Sequence, residues 1–306
     1  GPTMRRSTVS AVISVLVAGL APMTADAQYQ LLREMLPPGT SISIYGQSVT
    51  LSIAAGDRPS VEVWTTPDRG LTAESRSKAG RLEIEIRRRG PARPSGGIRD
   101  TVCVKVPREV ALTTRSYWGA INVVGVEGRT HIETYHGPSM YRGPSRELTV
   151  TAFHGASDIQ MTDPAQVLVT GGGGSVRIRA SGGSVRAETV RGDIGVVSTE
   201  PLSVSDLSST MGAIRFEAPL TPTSQVSLES HSGDVDLVLA PEMSARVSVQ
   251  SYAGSIEVAG DLRPVPRSGA MTEDGLRRAD YTLGLGEARV LAKTFRGDVR
   301  VIHGRR

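Results

Sequence analysis

Aromatic side chains recur two residues before a glycine that returns about every twenty residues. A ring exposed at that position could stack on sugar rings or on a partner surface, because an aromatic face offers a large apolar area. The polar–apolar alternation before Phe153 and Tyr252 directs both rings outward, although a turn that resets the alternation would place them over the core. The series is interrupted at Gly172, Val190 and Thr210. The candidate ligand-stacking residues are Tyr117, Tyr135, Phe153, His231, Tyr252 and Phe295.

Three carboxylates form a second candidate site. Asp234, Asp236 and Glu257 lie near equivalent positions of neighbouring repeats and could form an acidic patch. Paired carboxylates can act as acid and base in glycoside hydrolysis or bind calcium. Arg215 and Arg300 occupy the same outward repeat position, however, which favours an exposed ion-pair ladder in which each pair contributes little.

Two histidines are the only candidates for a shared metal ion. His136 and His154 stand one period apart, directly before the glycine, and Trp118 holds the same position one period earlier. A zinc site needs three or four protein ligands, and no cysteine or evident acid accompanies these two, so we expect polar surface histidines.

The glycine run 171–174 precedes a strand and not a helix, so it lacks the helix N-terminus of a phosphate cradle. The sequence predicts no catalytic residue, no metal and no cofactor.

The glycines themselves define a repeat that must position these side chains. Their spacing is 18 to 21 residues over most of the series, and the last step of 43 is close to two periods. A fixed period near 20 predicts a solenoid, and glycine at each corner allows the positive φ of the turn. The corner glycines are Gly119, Gly137, Gly155, Gly174, Gly192, Gly212, Gly233, Gly254 and Gly297.

Each period contains two short strands with alternating apolar residues. Ile194 and Val196 exemplify the strand after the glycine, and Val167 and Val169 the strand that follows a proline or glycine turn. This predicts an all-β fold, a parallel β-helix (β-solenoid) of about 18–21 residues per coil, with coils about 4.8 Å apart. An antiparallel sandwich would not return similar residues at a spacing of one coil. Frequent Gly, Pro and β-branched residues exclude helical packing.

The chain divides into a leader, a cap and a repeat region. Residues 1–27 contain an expression remnant or upstream start and a secretory signal, with Arg5 and Arg6 before an apolar run and Ala25–Asp26–Ala27 as the cleavage site. The apolar run is shorter than the about 20 residues that span a membrane, so we expect no transmembrane segment in the mature chain. Residues 28–110 form a less regular N-terminal capping β region that opens with one or two helical turns at 29–36. Residues 111–306 form the repeat region, with a loop insertion at 261–280, and the segment 281–301 ends the solenoid.

The charge and the cysteine count narrow the function classes. The formal charge is +4, with 35 basic against 31 acidic residues, and there is a single cysteine, Cys103. A mild positive charge suits anionic glycans or lipid headgroups, but nucleic-acid binding would need clustered basic residues on one face. One cysteine allows no disulfide within the chain. We therefore expect an exported protein, periplasmic or on the cell surface, held together by packing.

The order of strands and glycine turns in the repeats is similar to that of a known family. The segment 106–128 runs from Val-Pro through a strand to Gly-Ala-Ile and on to a glycine, and Ser-Gly-Asp-Val at 232–235 and Arg-Gly-Asp-Val at 296–299 repeat the turn. In this it resembles the putative adhesin family of β-strand-repeat domains, which are exported bacterial domains. The resemblance spans about residue 41 to the C-terminus. It implies an envelope location and a scaffold or adhesive role, and it supplies no catalytic residues.

The function expected from these patterns is a non-enzymatic structural or adhesin-like binding module of the cell envelope. Its partner would be an envelope glycan or a protein. One alternative is a carbohydrate-active β-helix enzyme, a polysaccharide lyase or hydrolase, which requires acids and bases converging on consecutive coils. Another is an accessory module of envelope-stress signalling, which would bind a protein and no glycan.

Overall fold

The computed structural model describes residues 29–65, 70–89, 100–260, 262–264 and 275–303. The predicted signal peptide and the middle of the predicted loop insertion lie outside the described residues. The regular elements within the described ranges are β-strands.

The strands follow the chain in three groups. The N-terminal strands are β1 (Tyr29–Met35), β2 (Ser41–Gly46), β3 (Thr50–Gly56), β4 (Ser60–Thr65), β5 (Leu71–Lys78), β6 (Arg81–Arg88) and β7 (Thr101–Pro107). The central strands are β8 (Leu112–Trp118), β9 (Ile121–Val124), β10 (Thr130–His136), β11 (Ser139–Gly143), β12 (Glu147–His154), β13 (Ser157–Met161), β14 (Ala165–Gly173), β15 (Val176–Ala180), β16 (Gly183–Arg191), β17 (Ile194–Ser198), β18 (Leu202–Met211), β19 (Ile214–Glu217), β20 (Gln225–Ser232), β21 (Val235–Leu239), β22 (Ala245–Ala253) and β23 (Ile256–Ala259). The C-terminal strands are β24 (Arg263–Pro264), β25 (Arg277–Leu283), β26 (Ala288–Arg296) and β27 (Val299–His303).

Two long sheets are built from these strands, and each coil contributes one strand to each sheet. Sheet 1 contains the strands that follow the corner glycines and four N-terminal strands, in the order β1-β4-β7-β3-β9-β11-β13-β15-β17-β19-β21-β27-β23. Sheet 2 contains the strands that lead into those glycines and additional strands at both ends, in the order β24-β25-β22-β26-β20-β18-β16-β14-β12-β10-β8-β2-β6-β5. The strands of successive coils are parallel and in register, as in the pairing of Val196 with Phe216. The predicted all-β parallel solenoid is confirmed.

The core lies between the two sheets and consists of columns of apolar side chains. Ile178, Val196, Phe216 and Leu237 follow one another along sheet 1, and each is buried. A fully buried side chain of this size contributes about 1.5–3 kcal/mol relative to an exposed one. Because every coil adds a similar layer, stability accumulates along the solenoid axis.

The corner glycines are required mainly by the close approach of neighbouring backbones. A Cβ atom at Gly192, where φ is +146°, would lie 2.0 Å from the carbonyl oxygen of Gly174 in the preceding coil. Real Cβ atoms do not approach an oxygen so closely, so a side chain there must push the coils apart. The same collision with the neighbouring corner recurs at Gly119, Gly137, Gly155, Gly174, Gly212, Gly233, Gly254 and Gly297.

Buried hydroxyl groups bond the same corners from inside. Ser209 Oγ donates to the carbonyl oxygen of Gly192 at 3.0 Å, and Ser230 Oγ donates to that of Gly212 at 2.8 Å. Thr294 Oγ1 donates to Gly233 O at 2.7 Å. A hydrogen bond between buried groups avoids the penalty of an unsatisfied carbonyl, so these inward Ser and Thr residues stabilise the tight corner.

The coils at the two ends of the solenoid do not follow the order of the chain. The coil β2–β3 lies between β6–β7 and β8–β9, and the coil β26–β27 lies between β20–β21 and β22–β23. The expectation that residues 281–301 end the solenoid is therefore wrong. Gly297 contacts both the Gly233 and the Gly254 corners, so the step of 43 residues spans adjacent coils and not two periods.

Antiparallel strands cover the outermost coils. At one end β5 pairs with β6, and β4 pairs with β7 and β1. At the other end β25 pairs with β22 and β24 pairs with β25, so the described parts of the predicted loop insertion are cap strands. The helical turns predicted at 29–36 are wrong, because the exposed edge of β4 offers backbone partners that outweigh the weak local helical preference.

Tyr141 is a buried polar residue within the core of sheet 1. Its hydroxyl group donates to the carbonyl oxygen of Val126 at 2.6 Å and accepts from the N–H of Ser145 at 2.8 Å. Burial is the main cause that raises the pKa of Tyr141 to about 12. The ring therefore fills the core while the hydroxyl satisfies two backbone groups of adjacent turns.

Replacing one corner glycine tests the close approach of the coils. We expect Gly192→Ala to lower the free energy of unfolding by about 3 kcal/mol, because the new Cβ collides with the Gly174 carbonyl. The matched control is Gly195→Ala three residues later, where a Cβ meets nothing within 4 Å. The control should change stability by about 0.5 kcal/mol or less. Equal urea midpoints for the two variants would contradict the steric explanation.

Replacing Tyr141 tests its buried hydroxyl group. Tyr141→Phe leaves the Val126 carbonyl and the Ser145 N–H unpaired, so it should cost about 1–3 kcal/mol in urea unfolding. The pKa of Tyr141 is raised on folding, so its contribution is complete below the unfolded value of 10.0 and is lost as the pH rises towards about 12. The wild type should lose stability over that range more steeply than Tyr141→Phe. Parallel pH profiles for the two proteins would refute this account.

Candidate functional site

The aromatic residues before the corner glycines project from the outer face of sheet 2. The alternation along the strands continues to the corner, so the buried Thr134 and Thr294 are followed by the outward rings of Tyr135 and Phe295. The exposed fraction of the five Tyr and Phe side chains lies between 37% and 41%, and His231 is also exposed. The rings therefore stand on the surface and do not fold over the core.

Three of these rings form a stack across consecutive coils at the start of the repeat region. The rings of Tyr117 and Tyr135 are stacked with centroids 4.8 Å apart and planes 13° apart. Phe153 follows at 5.0 Å from Tyr135 with a tilt of 37°. We call this column, together with the parallel column described next, the first ladder.

The parallel column stands directly before the glycines. Trp118 and His136 are stacked at 3.9 Å, and His136 and His154 are stacked at 5.0 Å with planes 14° apart. The two imidazoles lie face to face at coil spacing. Among the residues that the structure describes, no three His, Cys, Asp or Glu side chains come together in a way that could hold a metal ion.

The first ladder ends where β14 carries Gly172 and Gly173 in place of rings. A Cβ at Gly172 would collide with the carbonyl oxygen of Phe153, so the coil spacing itself disfavours a side chain there. The ring faces of Phe153 and His154 consequently have no aromatic neighbour on the next coil.

A second ladder consists of His231, Phe295 and Tyr252, in that spatial order. His231 and Phe295 are stacked at 5.0 Å with planes 3° apart, and Phe295 lies 5.0 Å from Tyr252 with a tilt of 38°. The sequence identified all three residues but not their order. Phe295 stands between the other two because β26 lies between β20 and β22.

The candidate acidic patch is held in an ion-pair ladder. Arg300 Nε contacts Asp236 Oδ1 at 2.8 Å, and Arg300 Nη2 contacts Asp234 Oδ2 at 3.3 Å. The neighbouring carboxylates, Asp236 first, raise the pKa of the Arg300 guanidinium. β27 also places Arg300 between Asp236 and Glu257 in register. The insertion of the C-terminal coil thus separates the two acids by a cation.

The turn aspartates bond the backbone of the next corner. Asp234 Oδ1 accepts from the N–H of Asp298 at 2.9 Å, and Asp298 Oδ1 accepts from the N–H of Ser255 at 2.8 Å. The Ser255 N–H holds the pKa of Asp298 below its ordinary value, because that bond favours the carboxylate. One carboxylate oxygen of Asp234 therefore has a structural role, because it accepts a backbone hydrogen bond from the neighbouring corner.

Sequence reasoning missed a depression of about 820 Å³ on the outer face of sheet 2. It extends from β16 across β18, β20, β26 and β22 to β25. Its charged lining residues are Arg186, Arg246, Arg278, Arg289, Asp206 and Asp280. Their spacing in the sequence gives no signal, because the insertion of β26 and the antiparallel return of β25 bring them together.

Comparison with known proteins identifies a family and several distant structures. The Toastrack DUF4097 family model matches residues 40–301. A putative adhesin from Bacteroides fragilis is 12% identical with a TM-score of 0.41, and covers 94% of this chain and 100% of its own. A putative cell adhesion protein from Clostridium sporogenes is 10% identical with a TM-score of 0.24. Its alignment covers 91% of this chain and 100% of that protein. A putative lipid binding protein from Parabacteroides distasonis is 11% identical with a TM-score of 0.29. Its alignment covers 91% of this chain and 97% of that protein.

A comparison with curated proteins finds no match. None of the described residues forms a helix long and apolar enough to cross a membrane. The resemblance to the putative adhesin family of β-strand-repeat domains is confirmed. Since the family model extends from the residue before β2 into β27, the chain belongs to the Toastrack DUF4097 family.

Proposed function

We propose that this protein is a non-enzymatic binding module of the cell envelope whose aromatic ladders contact a glycan. The observation that carries the proposal is the exposure of stacked rings on consecutive coils, with Tyr117, Tyr135 and Phe153 each about two-fifths exposed. Large rings on a surface are expected at binding sites, since their burial by a ligand removes much apolar area from water.

The ladders are suited to a repetitive ligand. Rings that follow one another at 4.8 to 5.0 Å on a hydrogen-bonded sheet are fixed before binding. Little conformational entropy is then lost when a sugar ring stacks on them. Stacking among the rings also stabilises adjacent coils, by about 0.5–1.5 kcal/mol per pair.

The acid patch does not favour the alternative of a polysaccharide lyase or hydrolase. Asp234 and Asp236 are engaged by Arg300, and Glu257 lies on the far side of that arginine. A general acid must be free to give its proton to the substrate, whereas Asp234 and Asp236 are held in ion pairs. The patch therefore acts as a structural ion-pair ladder.

Export to the periplasm or the cell surface is part of the same proposal. Its support is the sequence of residues 1–27, with two arginines, an apolar run and a small-residue cleavage site. Envelope glycans are the polymers that an exported stacking surface would meet.

A glycan array probed with the whole mature chain tests the stacking surface. We expect Tyr135→Ala to weaken binding of the best glycan about tenfold, because Tyr135 is the central ring of the first ladder. Glu257→Ala, on the opposite sheet, is the control and should bind as the wild type does. Urea midpoints confirm that each variant is folded.

Two results would contradict the proposal. One is the absence of binding to any glycan together with a specific protein partner cross-linked in the periplasm, which would favour the envelope-stress module. The other is release of polysaccharide fragments by the wild type that disappears in Asp236→Ala, which would favour the enzyme.

A further inference from the structure

We propose that the outer face of β20, β26 and β22 binds a carboxylated polysaccharide. In this complex Arg246 and Arg289 hold a uronate carboxylate, and the second ladder stacks on a sugar ring of the same strand. The inference rests on the proposed function as a glycan-binding module and assigns the class of glycan. The depression that these arginines line is called the arginine groove.

The first argument is the pairing of two unneutralised cations. Arg246 of β22 and Arg289 of β26 are direct neighbours in register, on strands about 4.8 Å apart. Both side chains are exposed, and neither forms an ion pair with any residue that the structure describes. Like charges opposite one another on adjacent strands destabilise a sheet. An anion bound between the two guanidinium groups would relieve this repulsion, and the planar fork of arginine fits a carboxylate.

The second argument concerns the other charges around the groove. Arg278 is paired with Asp280 at 3.3 Å, and Lys293 is paired with Glu229 at 3.1 Å. Those cations are already neutralised, whereas the arginine pair is not. Asp206 and Asp280 lie at opposite ends of the row Asp206–Ser227–Leu291–Ser248–Asp280 and would repel an acid placed there. Arg186, the remaining cation of the lining, is the direct neighbour of Asp206 in register. The charges therefore favour a single carboxylate at Arg246 and Arg289, the only two cations of the lining that are neighbours of each other.

The third argument is the polar floor of the groove. Ser227, Ser248 and Gln225 line it. The hydroxyl oxygen of Ser248 is buried and has no hydrogen-bond partner. A buried hydroxyl without a partner is unfavourable, and a ligand hydroxyl group can satisfy it after a small rearrangement of the side chains above. Hydroxyl and amide groups beside arginines match a sugar that carries both hydroxyl and carboxylate groups.

The fourth argument is the alignment of the groove with the second ladder. Arg289, Leu291, Lys293 and Phe295 alternate along β26 with buried residues, so they face the same side. Six residues of strand place Arg289 about 20 Å from Phe295. A ligand that reaches both must be an extended oligomer and not a monosaccharide. The recessed floor favours a polysaccharide strand over a flat lipid surface.

The test measures binding of size-matched oligosaccharides to the full mature chain by calorimetry at low ionic strength. The probes are oligomers of alginate, whose sugars carry carboxylates, and neutral glucan oligomers of the same length. We expect alginate to bind at least about tenfold more tightly, and the double variant Arg246→Gln/Arg289→Gln to reduce its affinity to that of the neutral glucan. Added salt should weaken alginate binding to the wild type more than to the double variant.

The matched control is Arg115→Gln, an exposed arginine on the same face of sheet 2 that is paired with Glu133 at 3.1 Å. It removes one positive charge near the first ladder and should leave alginate affinity unchanged. Phe295→Ala should weaken alginate and glucan binding alike, about tenfold, because it removes a stacking surface that is indifferent to charge. Since all these side chains are exposed, urea midpoints close to that of the wild type verify folding.

The possible outcomes separate this inference from the proposed function. Equal affinity for alginate and glucan, or full alginate affinity in the double variant, overturns the carboxylate site while glycan binding through Tyr135 remains. Alginate binding that needs the arginine pair but not Tyr135 supports this site and removes the first ladder from the binding surface. Binding to phosphatidylglycerol vesicles without any oligosaccharide binding overturns both proposals, as does the absence of binding to every probe.

Discussion

The structure depends on how closely successive backbones approach at one corner of the coil. At each corner the glycine of one coil lies against a backbone carbonyl oxygen at the corner of the neighbouring coil, with no room for a Cβ atom. This contact fixes the register of both sheets, because a slip of one residue would move a side chain into the corner and reverse every inward and outward position. The inward Ser and Thr hydroxyl groups then bond the same carbonyls from the core side.

Once the register is fixed, a residue type at one repeat position becomes a column on the surface. Rings before the corner become ladders, and charges after it become alternating rows such as Asp236, Arg300 and Glu257. The fold therefore specifies where side chains stand and leaves open what they contact. The two ladders differ for this reason, since the first includes a column with two stacked histidines, whereas the second shares its strands with a pair of neighbouring arginines.

Much of the fold follows from the sequence, because period, glycine spacing and alternation are local features. Counting along the strands directed Phe153 and Tyr252 outward, but the sequence left open a turn that would place both rings over the core. The sequence predicted the positive φ of the corner glycines, but their main role is to let the backbones of neighbouring coils approach closely. That contact joins residues of different coils, so it could be recognised only in the structure. The place of β26–β27 could not be predicted, since a spacing of 43 residues fits two coils as well as one coil plus a cap. The Arg246–Arg289 pair and the order of the second ladder depend on that placement.

The position of β26–β27 also bears on how the protein responds to tension. In a solenoid that ends with its last coil, a force on the C-terminal strand would peel that strand from a single neighbour, breaking hydrogen bonds one at a time. Here β27 is bonded to β21 on one side and β23 on the other, and β26 is bonded to β20 and β22. A pull from that side must shear two sets of hydrogen bonds in each sheet together. Unfolding from this end under force is thus cooperative, because the coil β26–β27 cannot detach without breaking the hydrogen bonds on both of its sides.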